Sequence, residues 1–135
     1  MQGAVYQVGR ITLAFKECHG DYSITESLEP PGAGASLHRH PSFVETFIVC
    51  EGRYEFEVAS QRFTLGPGET IAIPRGAPHA LKSLGPEIGR LLDISSPANV
   101  FEAFIREVSA AMASGPGTDF RAIAAKHGIE FLDPP

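Results

Sequence analysis

Two histidines stand one residue apart in the stretch GAGASLHRHPSFVETFIVCEG, which runs from Gly32 to Gly52. On an extended strand, side chains two positions apart leave the same face, so His38 and His40 aim their imidazole rings at one place. Imidazole is the commonest side-chain ligand for metals in proteins. The pair therefore indicates a metal site, although two histidines alone also occur in ordinary loops.

A glutamate follows the histidines inside an apolar run. Glu45 has the opposite parity to the two histidines, so it would point away from them on one uninterrupted strand. Pro41 cannot donate to a sheet ladder, and with Ser42 it marks a break after which the strand can restart. A lone carboxylate in an apolar interior is costly unless it is paired or bound to a cation. If Glu45 faces the interior, it therefore needs a partner.

A predicted hairpin gives the direction in which Glu45 points. If Glu51 and Gly52 form a two-residue turn, the flanking strands pair directly, and opposed residues share a face. Glu45 then lies opposite Val58, on a face that otherwise carries apolar side chains. This face is the expected interior and the expected wall of a substrate pocket, formed by Phe47, Val49, Tyr54, Phe56 and Val58, with Phe63 and Leu65 from the next strand.

A further histidine lies in the stretch GPGETIAIPRGAPHALKS. Glycine and proline predict tight turns on both sides of the short strand TIAI, and His79 opens the strand that follows. Three neutral imidazoles and one carboxylate suit a divalent transition metal (Fe, Mn, Ni, Co, Cu or Zn), whereas an all-oxygen set would indicate Mg or Ca. The ligand set does not choose among the transition metals.

Short β-prone runs, separated by glycine and proline, fill the chain from Val5 to about Ile94 and predict an all-β sandwich or barrel. After Ser96 the pattern changes to two amphipathic helices, in SPANVFEAFIREVSAAMAS and in TDFRAIAAKHG. We therefore expect a single domain over 1–135, with a β-barrel over about 1–96 and a helical tail over about 97–135. The apolar faces of the helices are expected to pack on the barrel or on a second subunit.

Composition narrows the range of partners. The net charge of −5, without any cluster of Lys and Arg, gives no electrostatic footprint for nucleic acid. No apolar run approaches the ~18 residues that span a bilayer. Cys18 and Cys50 lie far apart, without the C-x-x-C spacing of redox and zinc motifs, which suits a reducing compartment. We therefore expect a cytoplasmic protein with a small-molecule ligand, and neither nucleic acid nor membrane as a partner.

The first stretch resembles the first sequence motif of the cupin superfamily, G-x(5)-H-x-H-x(4)-E-x(6)-G. Every fixed position of that motif is matched, by Gly32, His38, His40, Glu45 and Gly52.

The later stretch resembles the second cupin motif, G-x(5)-P-x-G-x(2)-H-x(3)-N. Gly68, Pro74, Gly76 and His79 match it, and the last position departs, with Ser83 in place of asparagine. That position is not a metal ligand in the family, so the departure affects a local hydrogen bond and not metal binding. The helical tail also looks like that of small bacterial single-domain cupins, including those labelled quercetin dioxygenase-like.

This resemblance implies a double-stranded β-helix, the cupin or jelly-roll barrel, with a C-terminal helical tail. It further implies a divalent transition metal inside the barrel, bound by His38, His40, Glu45 and His79. Small members of the family often form homodimers, so a homodimer stays open beside a monomer.

Three functions remain open for such a site, because four protein ligands leave coordination positions free. The resemblance suggests a metal-dependent oxidoreductase, such as a dioxygenase, acting on a small enolic or phenolic substrate. Glu45 could then serve as a catalytic base if it partly leaves the metal. The alternatives are a metal-dependent isomerase or lyase, and a non-catalytic module that binds or senses a small molecule.

Overall fold

The computed structural model describes residues 3–132. In chain order, the described strands and helices are β1 (Ala4–Val8), β2 (Ile11–His19), β3 (Tyr22–Glu29), β4 (Gly34–Arg39), β5 (Val44–Glu51), β6 (Tyr54–Val58), β7 (Gln61–Leu65), β8 (Thr70–Ile73), β9 (His79–Ser83), β10 (Gly89–Ser96), α1 (Asn99–Ala113), α2 (Phe120–Lys126) and β11 (Glu130–Phe131).

Two antiparallel sheets face each other. The larger sheet has the strand order β1-β2-β3-β10-β5-β8, and the smaller sheet has the order β11-β4-β9-β6-β7. The fold is therefore mostly β, with a short helical region near its C-terminal end, and the expected double-stranded β-helix is confirmed.

The predicted hairpin between β5 and β6 is wrong. Strand β5 pairs with β10 and β8, whereas β6 pairs with β7 and β9, so the turn at Glu51 and Gly52 carries the chain from one sheet to the other. Gly52 has a φ of 85°, and a Cβ there would lie only 3.0 Å from the Cα of Gly89. The predicted inward face is nevertheless buried, because both sheets turn that face to one shared interior.

Two hydrophobic clusters form the core. The first, which we call the barrel cluster, lies between the two sheets and consists of Phe47, Val49, Tyr54, Phe56, Val58, Ile73, Leu81 and Leu91. The second, which we call the tail cluster, joins both helices to β2 and consists of Leu13, Phe15, Phe43, Phe104, Ile105, Val108, Ala124 and Ile129. The helices therefore pack on the barrel, which was one of the two expected arrangements.

The tail returns to the barrel through a sharp turn after α2. Asp119 caps the start of α2 by accepting a hydrogen bond from the Ala122 N–H at 3.0 Å. Gly128 has a φ of 74°, and the Ile129 N–H beyond it bonds the Ala124 carbonyl oxygen at 2.9 Å. The chain then runs into β11, which pairs with β4. Within residues 3–132, neither helix has the length and apolar character needed to cross a membrane.

Candidate metal centre

Neighbouring strands of the smaller sheet bring His38 and His79 together. His38 on β4 lies directly opposite His79 on β9, and their ring centroids are 4.2 Å apart. Both side chains face the interior and are buried.

His40 and Glu45 lie on either side of the strand break that was predicted at Pro41 and Ser42. β4 ends at Arg39, one residue before His40, and β5 begins at Val44, so Glu45 lies in a different strand and sheet. The His40 ring stacks on Phe43, with centroids 3.8 Å apart and planes inclined by 4°. The break therefore lets His40 and Glu45 meet in spite of their opposite parity.

Each histidine ring is oriented by a backbone carbonyl oxygen. The Nδ1 atoms lie within hydrogen-bond distance of such an oxygen: His38 of Ser36 at 2.8 Å, His40 of Phe43 at 3.1 Å, and His79 of Ala77 at 2.9 Å. Because a carbonyl oxygen only accepts hydrogen bonds, each Nδ1 carries a proton. In the neutral ring, Nε2 is then a free lone pair, which is the form that binds a metal.

The ring nitrogens converge on the carboxylate. Glu45 Oε1 lies 2.7 Å from His40 Nε2 and 3.3 Å from His79 Nε2. Lone pairs this close repel unless a proton or a cation lies between them. One ligand atom from each of His38, His40, Glu45 and His79 lies within 4.8 Å of the others. Ligand atoms ~2.1 Å from one metal ion, at right angles, are about 3 Å apart, so the donor set fits a divalent metal ion.

Protonation within the cluster follows from burial and from the Glu45 charge. Burial alone would raise the pKa of Glu45, but hydrogen bonds with His40 and His79 outweigh it and hold that pKa well below its usual range. Burial also opposes a proton on His40, yet the Glu45 carboxylate raises the pKa of His40. Burial and then the neighbouring His79 lower the pKa of His38 to about 4. His38 is therefore neutral at pH 7, as a metal ligand must be.

Sequence reasoning missed two buried acids on the larger sheet. Asp93 on β10 is buried, and burial followed by the charge of Glu45 raises its pKa well above the usual range. Glu29 on β3 is buried too, and its pKa is raised by burial, against hydrogen bonds with Tyr54 and Ser27. Period-two alternation was the available signal, because it places the inward positions of β3 at Ser23, Thr25, Ser27 and Glu29.

A cavity of about 230 Å³ opens from the cluster into the interior. On the side of the larger sheet it is lined by Phe47, Leu91, Asp93, Ser27 and Glu29. The tail closes another side with Phe101, Phe104, Ile105, Phe120, Ile129 and Phe131. The Phe131 ring stacks on the His38 ring, with centroids 5.1 Å apart and planes inclined by 28°. The metal cluster therefore faces a largely apolar space bounded by both barrel and tail.

The residues predicted for the pocket wall separate into three groups. Phe47 lines the cavity. Val49, Tyr54, Phe56 and Val58 are buried within the barrel cluster instead and do not line the cavity. Phe63 is 39% exposed and Leu65 packs at the edge of the barrel cluster, so neither reaches the site. The tail residues take their place, because an amphipathic pattern indicates a buried face without saying what that face covers.

Ser83, at the position that departs from the second motif, is 2% exposed. Its hydroxyl oxygen has no hydrogen-bond partner among the described residues. The local hydrogen bond that the motif departure was expected to affect is therefore not made by the Ser83 side chain.

Comparison with known proteins places this geometry in a family. The family model described as a cupin domain matches residues 26–95. An uncharacterised protein of Methanocaldococcus jannaschii is 31% identical over 75 residues, which is 56% of this chain and 60% of that protein. The quercetin 2,3-dioxygenase of Bacillus subtilis is 28% identical over 100 residues, covering 74% of this chain and 29% of that enzyme. The chain thus spans less than two thirds of the length of either relative.

Solved structures share the fold at low sequence identity. KdgF from a Halomonas species superimposes with a TM-score of 0.65 and 22% identity, over 70% of this chain and 86% of that one. An RmlC-like cupin from Shewanella frigidimarina gives a TM-score of 0.66 and 21% identity, over 73% of this chain and 86% of that one. The family model covers more than half of the chain, and the fold agrees with it, so the chain belongs to the cupin family.

Proposed function

We propose that this chain is a metal-dependent oxidoreductase, a dioxygenase that acts on a small enolic or phenolic substrate. The observation that carries the proposal is the convergence of His38, His40, Glu45 and His79 beside a largely apolar cavity. The likeness to a quercetin 2,3-dioxygenase supports the reaction class, although the chain spans only 29% of that enzyme.

Three imidazoles and Glu45 would hold the metal, and the Glu45 carboxylate would balance one of its positive charges. A bound divalent transition metal supplies positive charge that favours a substrate oxyanion, and a redox-active one supplies electron transfer to dioxygen. Phe101 and Phe131 line the cavity and exclude water from the reacting groups. Glu45 is the proposed base, with a carboxylate oxygen that can accept the substrate proton as the oxyanion forms.

The size of the cavity narrows the substrate. An engineered apolar cavity of about 150 Å³ takes up benzene, and this cavity has about 230 Å³. The space suits one aromatic ring with a short side chain better than a three-ring flavonol. Catechols and β-diketones are therefore the preferred substrates within the proposed class.

The test measures oxygen uptake by the protein reconstituted with Fe, Mn, Ni or Co, with catechols, β-diketones and flavonols as substrates. Uptake is expected with at least one metal and a one-ring or β-diketone substrate. Product formation without oxygen would replace the proposal with an isomerase or lyase. Measurable binding without turnover would replace it with a non-catalytic binding module.

Cytoplasmic location and a homodimeric state stay predictions from the sequence.

Removing one ligand tests the metal centre itself. We expect His79→Ala to lose most of the bound metal, measured by elemental analysis, because one of four convergent ligands is gone. His19→Ala is the matched control, since His19 is exposed on β2, outside the cluster. Full metal occupancy in His79→Ala would remove His79 from the ligand set.

A further inference from the structure

Glu29 lines the same cavity as the metal centre but is not one of the metal ligands. It is the last residue of β3, is 3% exposed and interacts with the Tyr54 and Ser27 hydroxyls. A carboxyl group can accept about four hydrogen bonds, and a buried one with unused capacity is costly. Glu29 therefore has acceptor capacity beyond the two hydroxyls.

Tyr54 fixes the position of this carboxyl group from the opposite sheet. Its O–H donates to Glu29 Oε1 at 2.6 Å, and its side chain is fully buried. Gly89, directly opposite Glu29 on β10, makes room for the tyrosine, because a Cβ there would lie 2.4 Å from the Tyr54 hydroxyl oxygen. The Glu29 carboxyl is thus held in place before any ligand enters, which is how a recognition group is built.

The strand register separates Glu29 from the metal centre along the barrel. On β9, His79 lies opposite the metal-ligand candidate His38. Four residues further along β9, Ser83 lies opposite Tyr54, the residue that hydrogen-bonds Glu29. On β10, Ser95 lies opposite Glu45 and Gly89 lies opposite Glu29. The two levels are thus four strand residues apart on β9 and six apart on β10, which correspond to about 13 Å and about 20 Å of extended backbone. The cavity is lined along this direction by four residues of β4, which are Gly34, Ala35, Ser36 and His38. A ligand that reaches from a metal–oxygen bond to a hydrogen bond with Glu29 must therefore be elongated.

We propose that Glu29 is the second recognition group of the cavity and binds a hydroxyl or amino donor at the far end of the ligand. The inference rests on the proposed function, because it takes the ligand oxyanion to be anchored at the metal centre. The ligand class becomes an elongated one-ring molecule with an oxyanion at one end and a hydrogen-bond donor at the other.

Two probes that differ by one hydroxyl group test this assignment. Cinnamate and 4-hydroxycinnamate share a carboxylate, a chain and a ring, and only the second carries a distal donor. Titration calorimetry on the zinc-loaded protein measures both affinities without redox chemistry. We expect 4-hydroxycinnamate to bind about tenfold more tightly, as one hydrogen bond to a carboxyl group gives.

Variants separate recognition from a structural link between the sheets. Tyr54→Phe keeps the Glu29 carboxyl but removes the bond that holds it, so the preference for the hydroxyl is expected to weaken without being lost. The double variant Glu29→Leu/Tyr54→Phe replaces both partners with apolar side chains, which folded proteins often tolerate. It is expected to bind the two probes equally. If the double variant does not fold, Glu29→Gln keeps the bond from Tyr54 and should reduce the hydroxyl preference.

Equal affinity of the two probes for the wild-type protein would overturn the role of Glu29. A preference that survives in the double variant, or that is undiminished in Glu29→Gln if the double variant does not fold, would also overturn it. Neither result would touch the proposed function, provided that zinc and His79 are required for cinnamate to bind. Cinnamate binding that is the same without zinc and in His79→Ala would instead count against the proposed function. Weak or absent binding of both probes would count against this ligand class.

Discussion

The barrel cluster and the tail cluster contribute differently to the site. Of the residues in the barrel cluster, Phe47, Leu81 and Leu91 line the cavity, while the others pack between the sheets. The tail cluster and its neighbours supply most of the apolar wall, including the ring that stacks on His38. The barrel thus positions the candidate metal ligands, and the tail shapes the space beside them. A change in the tail could therefore alter ligand choice while leaving the metal ligands in place.

The barrel cluster should respond mainly in stability. Phe56 is fully buried between the sheets and does not line the cavity. We expect Phe56→Ala to lower the free energy of unfolding by about 3–5 kcal/mol, because it removes a large buried side chain and leaves a cavity. Denaturant unfolding measures the loss. Phe63→Ala is the matched control, since Phe63 is 39% exposed, and an equal loss in that variant would contradict the division between core and surface.

The tail side of the cavity should respond mainly in ligand binding. Phe131 is partly buried and stacks on His38 and Phe120. We expect Phe131→Ala to weaken binding of a catechol to the zinc-loaded protein about fivefold to tenfold, since an aromatic contact and a wall are lost. Zinc affinity should change much less, and calorimetry measures both. An equal fall in zinc and catechol affinity would mean that the tail supports the metal ligands rather than the ligand space.

The link between tail and barrel has its own pH signature. Tyr6 on β1 donates to Glu102 on α1 at 2.7 Å, and burial together with this hydrogen bond raises the pKa of Tyr6 to about 12. Because this pKa lies above the ordinary value near 10, the bond stabilises the folded state fully below about pH 10. The contribution is lost as the pH rises through about 12.

Tyr6→Phe should therefore lower the free energy of unfolding by about 1 kcal/mol at pH 7. The difference from the wild-type protein should shrink between about pH 10 and 12, where the tyrosine ionises. Urea unfolding at a series of pH values measures this difference. A gap that stays constant to pH 12 would show that Tyr6 acts through packing alone.

The smallest effect is expected inside the barrel, at Ser83. Its buried hydroxyl has no hydrogen-bond partner among the described residues, so removing it leaves no protein group unsatisfied. Ser83→Ala should change the free energy of unfolding by less than about 0.5 kcal/mol, or stabilise the protein slightly. Thermal unfolding tests this. A loss of more than about 1 kcal/mol would indicate that the hydroxyl is hydrogen-bonded after all, for example through buried water.

The ligand cluster could be anticipated because its signals are local. Period-two spacing placed His38 and His40 on one face, and Pro41 marked the break that frees Glu45 from their parity. The two motifs then added His79 at a fixed spacing. The inward face of β5 and β6 was also predicted correctly, although the hairpin used to derive it does not exist. Residues on facing sheets share the same interior, so the parity argument survived the wrong pairing.

Apart from Phe47, the wall of the cavity could not be anticipated, because its signals are nonlocal. A turn that links two sheets has the same local chemistry as a hairpin turn, and only the complete sheet order distinguishes them. Strand β11 has two residues, which is too short for a periodic pattern. The apolar stripe of α1 indicates burial, but it does not indicate that Phe101 and Phe104 face a ligand space.

The pairing of β11 with β4 also shields an edge of the smaller sheet. Beside β11, the Leu132 N–H bonds the Leu37 carbonyl oxygen at 2.9 Å, so the backbone of the His38 strand is covered there. Unpaired edge strands are templates for addition of another chain. Proteolytic loss of the segment after α2 would expose β4 to strand addition. Truncated molecules would then tend to aggregate through the strand that carries a candidate metal ligand.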